Sequence, residues 1–72
     1  MARSTAKRSI TIAKHRTSVS VETEFWAALR TIAKAQGCSL ASLIEEIDAG
    51  RGEKSLSAAI RLYVLRQIRR EP

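Results

Sequence analysis

Residues 16–47, RTSVSVETEFWAALRTIAKAQGCSLASLIEEI, change period part-way through, and that change decides the fold. Thr17, Val19 and Val21 alternate with Arg16, Ser18 and Ser20, the two-residue repeat of a strand with one buried face. At Glu22-Thr23-Glu24 capping residues and first-turn acids announce a helix, and Phe25, Leu29, Ile32 and Ala33 follow at i, i+4, i+7 and i+8. The spacing predicts a helix over 23–36, closed by Gly37 where a left-handed C-terminal cap is wanted. Ser39 then caps a second helix, about 40–48, that carries Leu40, Leu43, Ile44 and Ile47.

Beyond this stretch, residues 48–54 hold Gly50, Gly52 and four charged side chains, which breaks the periodicity. Ser55 offers another cap, and a third helix is expected over about 56–69. Its stripe of Leu56, Ile60, Val64 and Ile68 is widened by Leu62, Tyr63 and Leu65, a width that predicts burial on two sides, as at a subunit interface. On the N-terminal side, Ile10 and Ile12 carry an alternation back to Ser9, so a strand is expected from residue 9 to 21. Residues 1–8, MARSTAKR, have no periodic apolar content and read as a flexible basic arm, leaving 9–72 as one domain. The expected class is mainly α with one N-terminal β-strand.

A chain of 72 residues buries only ~60% of its unfolded surface, and its single core supplies ~3–5 kcal/mol, so it needs a staple. One cysteine forms no intrachain disulfide, and one histidine with one cysteine does not fill a four-ligand structural zinc site. Dimerisation is the staple that remains. The 44% hydrophobic and 28% charged content excludes wholesale disorder, and no stretch approaches the ~20 apolar residues of a membrane span. A basic start without a continuous apolar run, and an unpaired thiol, predict a cytoplasmic protein that is neither exported nor membrane-bound.

Thirteen Lys and Arg against seven Asp and Glu give +6, and the pI of about 10.5 exceeds the ~9 that marks a nucleic-acid footprint. The charge is concentrated: Arg3, Lys7, Arg8, Lys14 and Arg16 all precede the first acid, Glu22. The partner-binding surface is therefore expected in the N-terminal third. A lone strand leaves its N–H and C=O groups without partners, so a second strand is required. The best match is the same strand from a second copy, antiparallel about a two-fold axis, giving an intertwined homodimer with a two-stranded ribbon. Val19 and Val21 then face the helices, and Arg16, Ser18 and Ser20 face outward together. Such a ribbon fits a major groove ~12 Å wide, where Arg donates twice to guanine and Ser serves several bases.

With strand, helix, the Gly37-Cys38-Ser39 turn and second helix in this order, the chain resembles the ribbon-helix-helix (MetJ/Arc-type) DNA-binding family over about residues 16–47. The strand HRTSVS and the third helix are similar to a bacterial subgroup of regulators. The resemblance implies base contacts from Arg16, Ser18 and Ser20, and phosphate capture by the backbone at Ser39, Leu40 and Ala41. The latter has its own physical reason, since a helix N-terminus presents free N–H groups and a positive dipole end to an anion. Lys14 and His15 are phosphate neighbours or solvated flank, and Arg3, Lys7 and Arg8 are expected to touch phosphates without sequence preference. The expected dimer core is Val19, Val21, Phe25, Leu29, Ile32, Leu43, Ile44 and Ile47, with Trp26 at the strand–helix or dimer boundary.

Several catalytic readings fail on inspection. His15 has no Cys, Asp or second His near it, so no metal is expected. The run 50–55 lacks the Gly before Lys, and the strand leading in, of a phosphate-binding loop. Glu45, Glu46 and Asp48 read as a solvated helix face, and Cys38 as a small apolar residue. Neither enzyme nor cofactor is expected. The expected function is a sequence-specific transcriptional repressor on double-stranded DNA in the cytoplasm, associated with the nucleoid, with two or more dimers side by side on one site. The alternative is an antitoxin-like interaction module with only non-specific DNA affinity, docking a protein partner through the third helix.

Overall fold

The computed structural model describes residues 5–12 and 14–69. Two strands, β1 (Thr5–Ile12) and β2 (His15–Glu22), precede three helices, α1 (Thr23–Gln36), α2 (Leu40–Ala49) and α3 (Leu56–Arg69). The helices match their expected spans within a residue. The N-terminal region differs from expectation: the strand expected over 9–21 is an antiparallel hairpin. Within the chain β2 is paired by β1, and Thr5–Arg8, expected in a flexible arm, form the first half of β1.

The physical reason lies in the phase of the alternation. The apolar Ile10 and Ile12 sit at even positions, whereas Thr17, Val19 and Val21 sit at odd ones. A continuous strand would send these two sets to opposite faces. Folding the chain back between Ile12 and His15 restores them to one face, with Ile12 opposite His15, Ile10 opposite Thr17 and Arg8 opposite Val19. Lys14 turns the chain in the left-handed region, with φ 71°. A side chain pays ~1–2 kcal/mol there, which glycine escapes at some cost in unfolded-state entropy. Lys14→Gly is therefore expected to stabilise the protein by about 0.5 kcal/mol and raise Tm by roughly 2–4 °C in a thermal melt.

The hairpin lies against the helices. Val19 and Val21 of β2, Ile12 of β1, Trp26, Leu29 and Ala33 of α1, Leu43, Ile44 and Ile47 of α2, and Ala59, Ile60 and Val64 of α3 form one core. Six of the residues expected in a dimer core are thus buried within a single chain, while Phe25 and Ile32 are half-buried beside it. Trp26 does more than mark a boundary: it is 1% exposed, and its Nε1 donates to the Ala6 carbonyl of β1 at 2.9 Å. The Arg8 guanidinium lies 5.3 Å from the centroid of the same ring. Both contacts fasten β1 to α1.

The helix ends follow local chemistry. Gly37 closes α1 at φ 73°, its N–H reaching the Lys34 carbonyl at 3.1 Å. Ser39 and Ser55 cap α2 and α3 by accepting from Ser42 N and Ala58 N at 3.0 and 3.1 Å. At the start of α1 the Glu22 side chain makes no cap bond; its Oε1 accepts instead from Arg61 Nε of α3 at 3.0 Å. In the connection between α2 and α3, Arg51 bonds Asp48 Oδ1 and the Lys54 carbonyl, both at 2.7 Å. α3 is not wholly covered, and its Leu65 and Ile68 are 47% and 61% exposed.

Candidate nucleic-acid interface

Because opposed residues of an antiparallel pair share a face, the register assigns the outer surface of the hairpin directly. Arg16 stands opposite Thr11, Ser18 opposite Ser9 and Ser20 opposite Lys7. All six are exposed. From Arg16 to Ser20 this face runs ~14 Å along the strand, and the two strands lie ~4.8 Å apart. It bears two cations and four hydroxyls, each able to reach a base edge or a phosphate oxygen. The first acid in the chain, Glu22, lies at the end of the ribbon and is held by Arg61.

Two helices hold the ribbon from behind. Trp26 ties β1 to α1, and Ser57, in the first turn of α3, donates from Oγ to the Ser20 carbonyl of β2 at 3.0 Å. The backbone carrying Ser20 is therefore anchored by α3 while the Ser20 side chain is exposed. A reading surface fixed on rigid elements loses less conformational entropy when it binds.

Sequence reasoning placed Arg16, Ser18 and Ser20 together on one outward face, and the structure has them there. Lys7, expected in the arm, joins that face opposite Ser20. Arg8 does not: it is opposite the buried Val19, with its guanidinium over Trp26. His15 is exposed but pairs with Ile12, so it shares the register of the helix-facing side. Lys14 is exposed at the turn, and Arg3 lies outside the described residues. Ser9 and Thr11 were missed as face residues; the phase shift between Ile12 and Thr17 is the signal that reveals them.

Ser39, Leu40 and Ala41 open α2, which packs against β1. Ser39 and Ala41 are exposed and Leu40 is half-buried. The Ser39 hydroxyl is occupied in the cap, leaving backbone N–H groups of the first turn for an anion. Ser39→Ala is expected to lower stability by about 1 kcal/mol, seen as a Tm lower by roughly 4–8 °C in a calorimetric scan.

Cys38 is half-buried against the core. Among the described residues no group of three His, Cys, Asp or Glu is arranged to hold a metal ion, and no helix is long and apolar enough to cross a membrane.

The model of the ribbon-helix-helix domain matches residues 5–68, from the start of β1 almost to the end of α3. The chain belongs to the ribbon-helix-helix family. Members of this family are generally DNA-binding transcription regulators or antitoxins, they form dimers, and they are typically non-enzymatic. No match was found among curated proteins or among solved structures. The matched span takes in β1 and α3 as well as the strand, first helix and second helix that carry the resemblance in the sequence.

Proposed function

We propose that this ribbon-helix-helix protein is a sequence-specific transcriptional regulator, a repressor that occludes its site by inserting the β-ribbon into the major groove. The observation that carries the reading is the outer face of the hairpin, where Lys7, Ser9, Thr11, Arg16, Ser18 and Ser20 are all exposed and no acid intervenes. Arg16 donates to guanine O6 and N7, the hydroxyls fit several bases, and backbone N–H groups at Ser39, Leu40 and Ala41 take a flanking phosphate. Lys14 at the turn adds electrostatic attraction without sequence preference. The protein acts as a homodimer in the cytoplasm, with dimers adjacent on one operator.

The exposed Leu65 and Ile68 favour a second reading, in which α3 docks a protein partner and the DNA affinity is only non-specific. Fluorescence anisotropy separates the two. A duplex from the region upstream of the protein's own gene is titrated against a scrambled duplex at several salt concentrations. Tighter upstream binding that survives physiological salt supports the repressor. Equal binding to both duplexes, falling by ~0.9 in log K per contacted phosphate for each decade of salt, favours the docking module.

A further inference from the structure

A cavity of about 160 Å³ opens between the second half of α2, the connection that follows it and α3. Its wall comes from those three elements alone, and no residue of the ribbon lines it. The volume is close to the ~150 Å³ that takes up one benzene ring. The inner wall is apolar: Ile47 and Ala59 are each 7% exposed, and Leu62 and Tyr63 are half-buried beside them. The Tyr63 hydroxyl accepts from Gln36 Nε2 at 2.9 Å, so α1 holds that ring in place.

The rim is charged and uneven in sign. Arg51, Lys54 and Arg66 line it against one carboxylate, Glu46. Arg51 is fixed there by Asp48 Oδ1 and the Lys54 carbonyl, both at 2.7 Å, which together use two of its five N–H donors. Lys54 and Arg66 are exposed, and neither side chain forms an ion pair among the described residues. An apolar hollow with a few polar groups converging at its mouth is the general form of a small-molecule site.

We propose that this cavity binds a small organic carboxylate built on one aromatic ring. The ring fills the space between Ile47, Ala59 and Leu62 and meets the ring of Tyr63. Its carboxylate stays at the rim, where the planar guanidinium of Arg51 matches it in shape and Lys54 and Arg66 add charge. A small hydrophilic anion would leave the apolar wall in water. A neutral ring would leave the cations without a counter-charge.

The test is an NMR titration of the full isotope-labelled chain, in the oligomeric state it takes in solution. Benzoate, acetate and benzyl alcohol are added separately at constant ionic strength. The expected result is saturable shifts of the Ile47, Arg51, Ala59 and Leu62 amides with benzoate. Binding is expected to be at least tenfold weaker for acetate, which lacks the ring, and for benzyl alcohol, which lacks the charge. Lys54→Gln/Arg66→Gln changes two exposed side chains, so it is expected to keep the melting temperature and to weaken benzoate by about tenfold.

No saturation with benzoate overturns the proposal, and that is the outcome if a second copy covers the cavity. Benzoate binding no tighter than either control overturns it too, as does equal benzoate affinity in the double variant. Because the ribbon has no part in the wall, each result holds whether or not the chain reads DNA.

Discussion

Trp26→Ala leaves the protein largely unfolded at 25 °C, as expected from what this side chain touches. It is 1% exposed in a core shared by both strands and all three helices, and truncating a buried Trp costs ~3–5 kcal/mol. That equals the ~3–5 kcal/mol a single core supplies in a chain of this size. The loss extends past the cavity. The Ala6 carbonyl forfeits its 2.9 Å hydrogen bond and Arg8 forfeits the ring beneath it, so β1 is freed from α1 at the same time. Trp26→Phe separates the two effects, keeping most of the volume and costing about 1 kcal/mol for the missing donor. Far-UV circular dichroism against temperature measures both. A Trp26→Ala melt within a few degrees of wild type would show that β1 and α1 hold together by other means.

Arg16→Ala is expected to lose sequence preference by about 10- to 100-fold while keeping its fold. A bidentate Arg–guanine pair is worth ~1–3 kcal/mol of discrimination, and 1.4 kcal/mol is a factor of ten. The side chain is exposed on the outer face of β2, and surface substitutions of this kind usually change stability by no more than ~0.5 kcal/mol. The measurement is anisotropy on specific and scrambled duplexes at one salt concentration, with the melt as control. A variant that weakens both duplexes by the same factor places Arg16 on a phosphate.

The helices were readable in the sequence because each carries both signals a helix needs. An apolar stripe gives the body and Gly37, Ser39 or Ser55 gives the ends, so the spans from 23 to 69 agree with the structure within a residue. The outward set of Arg16, Ser18 and Ser20 was readable from strand parity alone. The hairpin is hard to read because the sequence between Ile12 and His15 holds neither Gly nor Asn, and Lys14 adopts a left-handed conformation that side chains seldom take. Only the shift from even to odd apolar positions encoded it. Trp26 was placed at a boundary because it lies one step off the stripe of Phe25, Leu29 and Ile32. A stripe drawn for one neighbour misses a helix packed on two sides: Trp26, Leu29 and Ala33 are the residues that face inward, and Phe25 and Ile32 lie at the margin.

A two-stranded hairpin is ordinarily a hazard at high concentration, since its unpaired backbone groups invite strands from neighbouring molecules. Here side chains from behind engage the carbonyls of Ala6, by Trp26, and Ser20, by Ser57, and since successive antiparallel pairs alternate in hydrogen bonding, one of these two is an open-edge group that is already taken. Lys7, Arg8, Lys14 and Arg16 give both strands and the turn between them the same sign of charge. Molecules approaching ribbon to ribbon repel before they can stack. The same cations that the proposed function assigns to DNA therefore keep the protein dispersed when none is present, and neutralising them is expected to cost solubility along with any DNA affinity.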